Sequence, residues 1–126
     1  METKEMIHTI NECMEKLDYI TVRKYIIDNI HHVNLYKHLL DDATLNVLQY
    51  LNTTIDSEPQ PVSRQEVAII YSINMYSKRF DVRLLRMKIK ENPSLLMRQD
   101  IRHYFNEESK TLLEGMRVIP NHANKV

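Results

Sequence analysis

The sequence predicts an all-α fold: six main helices and one or two short ones, packed as a bundle or as stacked helical hairpins. Three observations carry this. The 126 residues contain a single glycine, Gly115, where average usage predicts roughly nine. Neither Asn-Gly nor Asp-Gly occurs, so the usual two-residue hairpin turns cannot be built. Apolar residues recur at three- and four-residue spacing through most of the chain, the signature of one-sided helices.

The first helix runs from about Lys4 to Leu17, with Met6, Ile7, Ile10, Cys13, Met14 and Leu17 on one stripe. Glu2, Glu5, Glu12 and Glu15 lie off it, and Thr3 can cap its start. A second helix spans about Thr21 to His31, with Val22, Ile26 and Ile30 inward and Asp18 or Thr21 as cap. A short irregular or helical stretch follows from Asn34 to Leu40. Asp41 then caps a helix over about Asp42 to Asn52, lined by Leu45, Leu48 and Leu51.

Residues 53–62, with two prolines among Ser, Thr and Asp, form the clearest loop. Directly after it stands the strongest local signal in the chain. Ser63-Arg64-Gln65-Glu66 is a capping box, with Val62 and Val67 at the staple positions on either side. The helix that it opens carries Val67, Ile70, Ile73 and Asn74 to about Ser77. The next, capped by Asp81, carries Val82, Leu85 and Ile89 to Glu91 and ends at Asn92-Pro93. Residues 94–105 read as helical or broken. Asn106 caps a last helix containing Leu112, Leu113 and Met116, with Gly115 and Pro120 as stop signals. Residues 120–126 are expected to be a frayed tail.

The length fits a single domain, 1–126. Within it the halves resemble each other, as two degenerate repeats, 1–55 and 62–119, or merely as two strings of amphipathic helices. Met6–Asn11 resembles Ile69–Asn74, Val22-Arg23 resembles Val82-Arg83, and Tyr36–Asp42 resembles Ile101–Glu107. The three stretches need offsets of 63, 60 and 65. Units of this size are marginal alone and are expected to share one core.

Charge is uneven. Lys and Arg number 17 and Asp and Glu 17, so the net charge is zero. Residues 1–62 hold five cations and ten acids, a net of −5, and residues 63–126 hold twelve and seven, a net of +5. The basic excess concentrates at 78–90. Read as one helix, that segment puts Arg79, Arg83, Arg86 and Lys90 on a single stripe, the candidate partner-binding surface. Its occupant is an acidic protein or, alternatively, nucleic acid, for which stacking aromatics would be needed. Tyr76 and Phe80 lie nearby, though Phe80 fits the core equally well. A solvated helix face facing the chain's own acidic half is the plain alternative.

No catalytic constellation emerges. Cys13 lies on the apolar stripe and His8 off it, so a buried structural thiol is expected. His31, His32 and His38 lack zinc-site spacing and suit helix C-termini. Asp41-Asp42 and Glu107-Glu108 sit where helices begin and are explained by the helix dipole. Phosphate loops need glycines that the chain lacks. The expectation is therefore a non-enzymatic interaction or regulatory module without metal or cofactor, binding another protein. A nucleic-acid-binding regulator using the basic segment 78–90 is the alternative. The lone cysteine and the charged start predict a cytoplasmic protein without membrane spans. A homodimer is also expected, joining Glu5, Glu12, Glu15 and Asp18 of one copy to the basic stripe of the other.

Overall fold

The computed structural model describes residues 2–58 and 60–121. Pro59 of the predicted loop and residues 122–126 of the predicted tail lie outside the described residues. In chain order the helices are α1 (Thr3–Glu15), α2 (Tyr19–Asp28), α3 (Ile30–Leu35), α4 (Asp42–Thr54), α5 (Arg64–Lys78), α6 (Val82–Glu91), α7 (Pro93–Met97) and α8 (Glu107–Gly115). Single 3-10 turns follow α3 at Lys37–Leu39 and α7 at Arg102–Tyr104, and there is no strand among the described residues. The fold is the all-α one predicted, with six main helices and two short ones.

Most of the predicted starts hold because a side-chain oxygen satisfies an orphan amide of the first turn. Asp18, Asp41, Asp81 and Asn106 accept from the backbone N–H of Thr21, Thr44, Leu84 and Ser109. At α5 both arms of the capping box are made, Glu66 N–H to Ser63 at 3.1 Å and Ser63 N–H to Glu66 at 2.9 Å. The predicted Thr3 cap is not. Glu2 holds that position without a side-chain bond, and Thr3 Oγ1 instead meets His32 Nε2 at 3.2 Å.

Helix ends were harder to foresee. α1, α5 and α8 each close with a left-handed residue: Leu17 (φ 62°), Phe80 (φ 53°) and Arg117 (φ 65°). In each turn the next residue's amide reaches back to close the helix, Asp18 to Cys13 O, Asp81 to Tyr76 O and Val118 to Leu113 O, at 2.8–2.9 Å. This is the Schellman closure, usually made with glycine. Gly115, expected to stop the last helix, is its final helical residue, and Arg117 takes the left-handed position. The predicted helix over 21–31 breaks at Asn29, whose side-chain amide donates to Tyr25 O and so competes with helix continuation. Asn92 does the same with Lys88 O, and Pro93 then starts α7.

The order of elements repeats. Leu17 and Phe80, Asp18 and Asp81, and Asn29 and Asn92 fill the same roles 63 residues apart. The two 3-10 turns, and the caps Asp41 and Asn106, correspond 65 apart. Tyr19 thus matches Val82, and the predicted pairing of Val22-Arg23 with Val82-Arg83 is out of register. Packing repeats as well: α1 lies on α2 and α4, and α5 on α6 and α8. The halves join through α7, which packs on α2 and α4. Tyr19 adds a link across the join, its hydroxyl donating to Ile89 O at 3.4 Å, and burial pushes its phenol well above the usual range. Buried side chains of both halves, among them Met6, Ile10, Ile26, Ile70, Ile73 and Leu85, form one core.

Candidate protein interface

Segment 78–90 is not one helix. Arg79 is the residue that ends α5, Phe80 is the left-handed turn, and Asp81 caps α6. Arg83, Arg86 and Lys90 therefore share a stripe on α6, while Arg79 stands across the turn, because the Schellman closure breaks the 100° periodicity on which a single stripe depends. All four are exposed.

Their surroundings differ. Lys90 turns back on its own chain, with Nζ 3.8 Å from Glu15 at the end of α1. One cation of the stripe thus faces the acidic half. Lys78, Arg79, Arg83 and Arg86 pair with no carboxylate among the described residues, and Arg83 Nη1 instead lies 3.7 Å from Met87 Sδ.

Apolar groups surround these cations. Tyr71 (60% exposed) and Met75 (45%) stand one turn apart on α5, and Met87 (45%) is on α6. Phe80, at the tip, is 69% exposed. It is not a core residue, as its apolar character allowed, whereas Tyr76 does pack against the core. Four of the seven exposed large hydrophobics among the described residues thus sit on one helical hairpin. Helical spacing alone could not show this, since Met75 and Met87 follow the same periodicity as core positions. The usable signal was the two-residue gap between a helix ending at Lys78 and a cap at Asp81, which forces Phe80 into a turn.

The three left-handed residues separate by what their side chains do. Leu17 is buried and fills the core. Arg117 places its Nε 3.1 Å from Asp18, and its carbonyl accepts from Ile20 N–H. Phe80 has no comparable contact within the fold. A left-handed conformation costs an L-residue about 1–2 kcal/mol. At Phe80 the side chain adds nothing comparable, and only the backbone bonds of the turn, Phe80 N–H to Ser77 O at 3.0 Å and Asp81 N–H to Tyr76 O at 2.8 Å, offset that cost.

Elsewhere the polar candidates are structural. Asp41 and Asn106 are caps, with Asp42, Glu107 and Glu108 in the first turns behind them. Cys13 is half-buried against the core, and burial, then Asp18, pushes its thiol up, away from the reactive thiolate. His32 is bonded to Thr3 and tilts against Tyr36, whose ring also neighbours His38. No three His, Cys, Asp or Glu side chains among the described residues converge as a metal-binding group. No helix among them is long and apolar enough to cross a membrane. No family model matches the chain, and no curated protein or solved structure is detectably similar to it.

Proposed function

We propose that the chain is a small, cytoplasmic, non-enzymatic protein–protein interaction module. The α5–α6 hairpin is its working surface, and the partner presents acidic groups around an apolar pocket. One observation carries the reading: an exposed phenylalanine held in a left-handed turn where glycine would cost less, ringed by exposed methionines and unpaired cations. Sparsely populated backbone conformations cluster at functional positions, and here the turn that needs one presents an exposed aromatic side chain. Exposed aromatic and arginine side chains are the residue types that dominate interface energies.

The reading predicts opposite effects on stability and on binding. Phe80→Gly relieves the left-handed strain and is expected to raise stability by about 1 kcal/mol, part of the gain being offset by the freedom of glycine in the unfolded chain. The same substitution is expected to abolish recovery of the partner from native cells, as is Arg83→Glu with Arg86→Glu. Thermal melts and affinity purification with mass spectrometry, with and without nuclease, measure both effects. A nuclease-resistant partner lost with both variants supports the module. Partners indifferent to both variants overturn it. Recovery that depends on nucleic acid supports the second reading, a nucleic-acid-binding regulator, which the exposed Tyr71 and Phe80 beside unpaired arginines favour as base-stacking platforms.

The homodimer follows less directly. Of the four acids expected to join two copies, Glu12 pairs with Lys16 at 2.9 Å, Glu15 with Lys90 and Asp18 with Arg117. Lys16, first by its hydrogen bond, holds the Glu12 carboxyl below its usual range. Among the described residues Glu5 alone of the four has no cation paired with it. If charge still drives association, sedimentation should show a dimer at low ionic strength that dissociates as salt rises, since screening reaches about 10 Å at 0.1 M. A monomer under both conditions removes the dimer from the proposal.

A further inference from the structure

We propose that the cleft between α2 and the chain running from α7 to Pro120 is a binding site for a small amphiphilic monoanion: a carboxylate, held by Arg23, on an apolar body. The cleft has a volume of about 580 Å³, within the range of small-molecule sites, about 300–1,000 Å³. Ile20 and Ile27 of α2 form one wall. Ile101 and Phe105, around the second 3-10 turn, and Val118 and Ile119 form the other. The site exists only where the two halves meet.

Charge selects the head group. Four cationic residues line the cleft: Arg23, Lys24, Arg98 and Arg102. The fold neutralises three of them. Lys24 has Asp28 at 3.5 Å, Arg98 has Asp100 at 2.7 Å and Glu66 at 3.7 Å, and Arg102 is paired with Glu114. Arg23 has no such acid among the described residues, and its Nε is buried without an acceptor. With Nε covered, the two Nη groups of the guanidinium are the donors that two carboxylate oxygens can meet together. One guanidinium without a bonded carboxylate suits a monoanion better than a phosphate dianion, and the isoleucine-lined walls suit a hydrocarbon body better than a polar one. None of these residues belongs to the α5–α6 surface, so this site and the proposed interface stand or fall separately.

Octanoate, 1-octanol and inorganic phosphate are the probes, titrated into the intact chain while backbone amide chemical shifts are followed. Octanoate is expected to give saturable shifts at residues 20–27, 101–105 and 118–119 and none at 83–87. 1-Octanol is expected to bind the same residues about tenfold more weakly, the worth of a charge-assisted hydrogen bond, and phosphate not at all. Arg23→Gln should lower octanoate affinity to that of 1-octanol while leaving 1-octanol binding unchanged, which also reports that the cleft is intact. Equal affinity for octanoate and octanol, octanoate shifts centred on α5–α6, or full octanoate affinity in Arg23→Gln would each overturn the proposal.

Discussion

Arg98→Ala is expected to destabilise the fold by about 3 kcal/mol, measured by denaturant unfolding. The Arg98 side chain is only 5% exposed. Its Nε and Nη2 bond both oxygens of Asp100, at 2.9 and 2.7 Å, its Nη2 also donates to Gln60 O, and Nη1 lies 3.7 Å from Glu66. One guanidinium thereby ties the loop after α4, the capping box of α5 and the turn after α7 together. Removing one partner of a buried ion pair costs about 3–5 kcal/mol because the other charge is stranded. Asp100 and Glu66 keep part of their water, which places the expected loss at the lower end. Arg98→Met should cost less than Arg98→Ala, since its stem still packs where the arginine methylenes did. The hydrogen bonds from Arg98 hold the Asp100 carboxyl below its usual range. A depressed carboxylate stabilises the fold above its unfolded pKa, about 3.9, and that contribution is lost as pH falls through the lower folded value. The parent should therefore lose stability below about pH 4 more steeply than Asp100→Asn does. Equal acid slopes in the two proteins would show that the pair contributes no pH dependence.

Nothing around Arg98 marked it in the sequence. It lies in a stretch without clear periodicity, and its partners at Gln60 and Glu66 are more than thirty residues away. Helix starts, by contrast, were legible, because a cap is a local contract between one side chain and an amide three residues on. Asp41, Ser63, Asp81 and Asn106 all keep it. Helix ends were not, since the expected left-handed residue was glycine and the chain uses Leu17, Phe80 and Arg117 instead. That one substitution of rule accounts for the misplaced stripe, with Arg79 assigned to α6, and for the exposed phenylalanine. The acidic and basic halves were visible as composition. Which acids already had partners depended on tertiary contacts such as Lys90 with Glu15 and Arg117 with Asp18.

The matching order of elements in the two halves allows the same substitution to be made at corresponding positions. Asn74→Ala is expected to cost about 3 kcal/mol and Asn11→Ala, 63 residues earlier, less than about 1 kcal/mol. Asn74 joins α5 to the turn before α8. Its side-chain amide donates to Tyr104 O at 3.0 Å, and its Oδ1 accepts from Asn106 N–H at 3.0 Å and Ser109 Oγ at 2.7 Å. Ser109 is fully buried. Truncating Asn74 leaves a carbonyl, an amide and a hydroxyl without their partner, and each orphan costs about 1–3 kcal/mol when dry. The three losses do not add fully, because the exposed side of the turn can admit water. In the first half the same places are held by Asn11, Asp41 and Thr44. There Asn11 Oδ1 and Thr44 Oγ1 are both buried and neither is bonded. Removing a polar atom that already lacks a partner relieves desolvation instead of creating it. Thr44→Val should accordingly be neutral or stabilising, while Ser109→Ala, which takes a donor from Asn74, should destabilise. Chemical denaturation of the four variants decides the matter. Equal losses at Asn11 and Asn74 would mean that both halves hold the network with the same strength, and the asymmetry between them would be gone.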